Sequence, residues 1–177
     1  MRPLTSILCL LALVAAFAGI ARAAEPEAGT LSVERGRGVV TLDVRGLVLG
    51  RLANGSITVT DRSPGDPYFA NVTGRQIAVQ RRLGPDKLFI RGQGLRFRML
   101  GGSYKVVIRG AGIAVSAVGR GMVVLNGEPR FPGDDVGVYS VEDVDCGSKP
   151  ESCHPIPDEP VRVKLEPAPA EGSSRTR

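Results

Sequence analysis

The chain has no tryptophan, one histidine, three tyrosines and five phenylalanines in 177 residues. Grooves that hold sugars are generally built on aromatic platforms, so this scarcity weighs against both a glycosidase and a carbohydrate-binding module. A lone histidine, His154, cannot build a metal centre, which takes several His, Cys or carboxylate ligands together. The one grouping that could is Cys146, Cys153 and His154 with Asp145 as a fourth ligand, and it competes with a disulfide. No serine or cysteine lies in a nucleophile elbow, so no catalytic residue is legible. Gly110-x-Gly112 and Gly119-x-Gly121 lack the third glycine and the following helix that a dinucleotide loop uses to hold phosphates. No cofactor and no metal are expected. Helical periodicity is missing too. No window after residue 20 carries a 3.6-residue apolar stripe, and 23 glycines and 13 prolines would interrupt most helices.

The N-terminus reads as a secretory signal. Arg2 supplies the positive start, Ile7 to Ile20 is uncharged and apolar, and Ala21-Arg22-Ala23 is an A-x-A cleavage site. Fourteen apolar residues are too few for the roughly 20 that span a bilayer. Cleavage is expected between Ala23 and Ala24, which removes Cys9 and leaves no transmembrane segment. The expected organisation is a signal peptide over 1–23, a polar lead-in over 24–30, a single β-rich domain over 31–166 and a disordered tail over 167–177, rich in Pro, Ala and Ser. The expected location is secreted or periplasmic. There an even count of cysteines, Cys146 and Cys153, reads as a disulfide.

Charge is divided. Residues 35–130 hold 16 Lys/Arg against 5 Asp/Glu, a balance of +11, while residues 131–171 hold 3 against 10, a balance of −7. The two parts either neutralise each other in the fold or form separate surfaces. Arginine far outnumbers lysine, and Ala, Gly and Val abound, a bias common in GC-rich bacterial genomes.

From Leu31 onward, short apolar runs alternate with Gly, Asn, Asp and Pro. Ser56-Ile-Thr-Val-Thr60, Leu95-Arg-Phe-Arg-Met99 and Val161-Arg-Val-Lys-Leu165 alternate with period 2, the signature of half-buried strands. The fold class expected is all-β, an antiparallel sandwich or barrel. Glycines at 92, 101, 110, 119 and 127 fall at a spacing close to nine. That spacing fits a regular antiparallel meander over 91–127; the alternative is a β-solenoid-like stack. In the meander Gly101-Gly102 is a hairpin turn, so that Met99 faces Tyr104 and Phe97 faces Val106. Leu95, Phe97, Met99, Tyr104, Val106, Ile108, Ile113, Val115, Ala117, Val123 and Leu125 then share one apolar face, which a one-residue slip would scramble. The opposite face carries Arg96, Arg98, Lys105 and Arg109, with Arg98 and Lys105 opposed.

The run from Leu95 to Gly127 resembles a segment of small exported β-rich proteins of GC-rich bacteria, a family with no known activity. The resemblance covers about a fifth of the chain, implies no activity and brings no functional residues. The function expected is therefore that of an exported, non-enzymatic domain that binds an anionic cell-envelope polymer or another envelope protein. Arg96, Arg98, Lys105 and Arg109 are the candidate anion-binding residues, because arginine forks match phosphate and carboxylate geometry. The rival is a secreted hydrolase using carboxylates of the 134–145 segment.

Overall fold

Alternation decides the architecture. In the computed structural model, which describes residues 28–68 and 70–166, the runs with period 2 join into three long antiparallel strands and three short ones. They are β1 (Gly29–Asp61), β2 (Ala70–Arg82), β3 (Lys87–Gly127), β4 (Val138–Ser140), β5 (His154–Pro155) and β6 (Val161–Leu165). A 3-10 turn, Pro150–Ser152, precedes β5. The sheet order is β2-β3-β1-β4-β5, with β6 added to β3. The all-β antiparallel class expected from the sequence is the one found. The expected signal peptide with its cleavage site, and the tail from residue 167, lie outside the described residues.

The pairing has an unusual feature: β1 has β3 on both of its edges. Ile57 pairs with Ile90 on one side and Ile108 on the other, and Val40 pairs with Ile108 and Leu125. Val40 and Ile57, which flank Ile108, are 17 residues apart, and Ile90 and Ile108, which flank Ile57, are 18 apart. Each chain therefore returns beside its partner once every 17–18 residues. β1 with β2 forms one arm and β3 the other arm of a single long hairpin, whose apex is the turn after Arg82. That hairpin is wound into a double-stranded spiral and flattened into two layers. Two corners per turn require a corner about every nine residues, which is the glycine spacing.

Inside the spiral the side chains form rows. Ile90, Ile57, Ile108, Val40 and Leu125 make one row of one layer, and all are at most 2% exposed. Met99, Val48, Ala117 and Leu31 make a row of the other layer, equally buried. Burying each large aliphatic side chain stabilises the fold by about 1.5–3 kcal/mol. The two layers share one hydrophobic core.

At the corners glycine meets glycine. Gly55 pairs with Gly110, and Gly46 with Gly119. Gly110 has φ +149°, and a Cβ there would run into the carbonyl oxygen of Asn54 and lie 2.8 Å from the Cα of Gly55. Only a hydrogen fits where the two chains cross the corner together.

The apolar face expected over 91–127 is buried residue for residue, but its partners differ from the expected meander. Met99 pairs with Val48 and Ala70, not with Tyr104; Phe97 pairs with Gly50 and Val72, not with Val106. Gly101 and Gly102 together oppose the single Gly46, between the pairs Leu47–Leu100 and Arg45–Ser103. That two-against-one arrangement is a β-bulge, which bends both chains into the other layer instead of reversing one of them.

The C-terminal part closes the base. β6 pairs with residues 121–125 of β3, and β4 pairs with residues 32–34 of β1. Cys146 and Cys153 form the expected disulfide, with an S–S distance of 2.07 Å. It anchors the loop because Cys146 is buried and its backbone N–H donates to Ser32 Oγ (3.0 Å).

Candidate functional site

A groove lies on the outer face of the layer formed by residues 70–74, 95–100, 47–52, 113–118 and 31–34. Inward residues of these segments fill the core, so the alternate positions point outward: Thr73, Arg96, Arg98, Leu49, Arg51, Ser116, Ser32 and Glu34. A cavity of about 650 Å³ is lined by Glu34, Arg35, Arg51, Arg75 and Arg96 over a floor that includes Ala53, Gly74, Gly94 and Gly112. A second hollow of about 460 Å³ shares Glu34, Arg51 and Arg96 and continues past Arg98, Ala114 and Ser116 to Asp145. The two are one continuous groove running along the strands.

Register places like charges together. Arg51 pairs directly with Arg96, and like charges directly opposed across strands are unfavourable. Glu34 offsets part of that repulsion, its Oε1 accepting from Arg51 Nη2 at 2.7 Å. Arg75, Arg96 and Arg98 are exposed and have no hydrogen-bond or ion-pair partner among the described residues.

A bulge shapes one wall. Between the pairs Val33–Val115 and Gly36–Ile113, two residues of β1, Glu34 and Arg35, oppose the single Ala114. Arg35 has φ +57°, a left-handed conformation that costs a residue with a side chain on the order of 1–2 kcal/mol. The bulge keeps both Glu34 and Arg35 on the groove side, whereas strict alternation would send one of them inward. Arg35 also pairs with Asp135 at 3.4 Å, with both side chains well exposed.

The four residues expected to act together are divided between two layers. Arg96 and Arg98 stand in the groove. Lys105 and Arg109 follow the Gly101–Gly102 corner and belong to the other layer, where Lys105 pairs with Asp43 and Thr60, and Arg109 with Val39 and Ser56. Arg98 faces Leu49 and Asn71, so the expected opposition of Arg98 and Lys105 does not arise. Arg51, Arg75, Arg35 and Glu34 were not singled out by the sequence, because only the wound register brings residues 34, 51, 75 and 96 to one place.

The acidic segment is occupied in holding its own loop. Asp134 Oδ2 accepts from the N–H groups of Arg130 and Phe131, Asp135 Oδ1 from Gly137 N–H, and Asp145 Oδ1 from Gly147 N–H. Asp143 and Asp145 line a small hollow of about 150 Å³ beside Thr30 and Ser116. Glu142 is exposed. The cysteines are bonded to each other and His154 lies against Tyr139, ring centroids 5.9 Å apart. No cluster of three or more His, Cys, Asp or Glu suited to a metal occurs among the described residues.

Among the described residues, Tyr104 is the one buried titratable group with a shifted proton equilibrium. It is 1% exposed, and its hydroxyl has no hydrogen-bond partner among the described residues. Burial, helped by the nearby carboxylates of Asp61 and Asp66, pushes its pKa up to about 12.

The fold and groove together define a small disulfide-bonded β-sandwich with an arginine-lined outer groove. No family model, no curated protein and no solved structure matches the chain.

Proposed function

We propose that the protein is an exported, non-enzymatic β-domain that binds an anionic component of the cell envelope, with Arg96 and Arg98 as the main contacts and Arg51 and Arg75 beside them. The observation that carries this reading is the presence of three arginines in one groove, Arg75, Arg96 and Arg98, without partners among the described residues. The opposition of Arg51 and Arg96 adds to it, since a bound anion relieves that repulsion. Lys105 and Arg109, on the other layer, contribute only through the long-range field. Export is supported by the signal-like N-terminus and by the Cys146–Cys153 disulfide, a bond that persists in oxidising compartments. Among the described residues no helix is long and apolar enough to cross a membrane.

The test is a titration of the protein with teichoic acid and with lipopolysaccharide. Binding should weaken steeply with salt, as the Debye length falls from ~10 Å at 0.1 M to ~3 Å at 1 M. R96Q/R98Q should lose affinity by about tenfold or more, since hydrogen bonds to charged groups contribute about 1.5–3 kcal/mol each, and should keep its melting temperature. K105Q/R109Q should lose less than threefold. Unchanged binding by R96Q/R98Q together with lowered stability would mean that these arginines neutralise charge within the fold, and would end the proposal.

A further inference from the structure

The groove has two chemically different walls. On one side stand Arg75, Arg96 and Arg98, donors only, all exposed. On the other, past Arg35, whose guanidinium is paired with Asp135 at 3.4 Å, stand Glu34 and Asp145 with Ser32 and Ser116, which offer carboxylate and hydroxyl acceptors. Between them the floor is low and apolar, made by Gly50, Leu49 and Ala114. The absence of a side chain at Gly50 is filled by the ring of Phe97 from the core side, whose Cε2 would lie 2.7 Å from a Cβ there. That ring is 3% exposed, so it supports the floor and offers no stacking surface.

These walls impose different demands on a ligand. The arginine wall takes an anion. The opposite wall is a poor host for a second anion, because Glu34 sits in mid-groove, shared by both hollows, and the cations beside it, Arg35 and Arg51, are already paired with Asp135 and Glu34. A ligand lying across the floor must therefore present acid groups along one edge and hydrogen-bond donors along the other. A bare polyanion such as polyphosphate offers acceptors on every side and would set its charge against Glu34 and Asp145. A neutral glycan has the donors but no acid, and the groove has no aromatic platform to hold it.

Building on the anion-binding reading above, we propose that the groove selects an acidic glycan, a chain whose repeat carries both a carboxylate and free hydroxyls. The carboxylates bind the forks of Arg96 and Arg98, and the hydroxyls donate to Glu34 and Asp145. Glu34 is then the specificity-determining residue. Its bond to Arg51 keeps its charge in the groove and holds Arg51 away from simple anions.

The test compares polygalacturonate, inorganic polyphosphate of matched length and uncharged dextran, by calorimetry at one ionic strength. Wild-type protein should bind polygalacturonate at least tenfold more tightly than polyphosphate, and dextran not at all. E34Q removes the repelling charge and frees Arg51, so polyphosphate should bind several-fold more tightly and the preference should shrink to less than threefold. A melting curve shows that E34Q stays folded. E34A is the second variant, and it should lose the preference in the same way. Equal binding of the two polyanions by wild type, with both lost in R96Q/R98Q, would overturn the selectivity and leave anion binding standing. Preference unchanged in both Glu34 variants would likewise overturn the role of Glu34. Wild-type protein that binds neither polyanion, or R96Q/R98Q that binds both as wild type does, would overturn anion binding itself.

Discussion

Gly110→Ala tests the winding directly. Gly110 sits at φ +149° opposite Gly55, and two costs follow from a methyl group there. The backbone conformation is one that side chains rarely adopt, which costs about 1–3 kcal/mol. The Cβ also runs into the Asn54 carbonyl oxygen and lies 2.8 Å from the Gly55 Cα. Both are backbone atoms of the facing chain, so no side chain can swing aside. The ladder around Gly55–Gly110 has to open, and losing two of its hydrogen bonds costs about 1 kcal/mol each, more if the groups stay buried without partners. The sum is about 3–6 kcal/mol, a large part of the 5–15 kcal/mol typical of a domain. Gly65 is the control, with φ +111° but nothing within 4 Å of a Cβ. G65A bears only the conformational cost. Urea unfolding followed by circular dichroism measures both, and the midpoint should drop far more for G110A, with the slope preserved. G55A/G110A should cost less than the two single changes added, because a corner already opened accepts the second methyl group. Equal losses for G110A and G65A would refute the stacking of two chains at a shared corner.

Other outcomes follow from the buried groups. Tyr104, with its pKa pushed up to about 12 against an ordinary 10.0, keeps its proton in the fold while the unfolded chain loses it. Its contribution is complete below pH 10 and is lost as pH rises towards 12, on the order of 2–3 kcal/mol; absorbance at 295 nm should show its phenolate only above that range or on unfolding. Y104F should remove this part of the alkaline loss and leave stability at pH 7 equal or higher, because the deleted hydroxyl has no partner among the described residues. C146S/C153S should lower stability by about 2–3 kcal/mol, read by melting with and without reductant.

What was legible in the sequence was the side of the strand each residue faces. Leu95, Phe97 and Met99 alternate with Arg96 and Arg98, and that pattern is local, so it survives any choice of partner. The partner itself is not local. Met99 against Tyr104 and Met99 against Val48 leave the same face buried, and nothing in 91–127 alone separates them. The second copy of the spacing in β1, at Gly38, Gly46 and Gly55, is the signal that two chains turn corners in step. The groove was half legible for the same reason. Arg96 and Arg98 share a strand and a face, whereas Lys105 and Arg109 lie beyond a corner that changes the layer. Arg51 reaches Arg96 only through register. The run Glu34-Arg-Gly-Arg-Gly38 breaks the alternation, and that break is the bulge that turns Glu34 and Arg35 into the groove.

A wound hairpin also sets an order of assembly. At the apex, Arg82 pairs with Leu88, only six residues on, while at the base of the hairpin Gly38 pairs with Gly127, eighty-nine residues on. Closing a loop costs more entropy as it lengthens, so zipping starts at the apex and moves outward. Each later pair has to be laid down against a turn already in place, as Val40 and Leu125, paired with each other, come in beside Ile108. The last pairs to close hold the two ends of the spiral, and β1 waits for them with one edge bare. Such high contact order belongs to chains that fold in milliseconds to seconds. During that interval residues 31–45, in the N-terminal half of β1 and synthesised before all of β3, are the segment most open to pairing with a neighbouring chain.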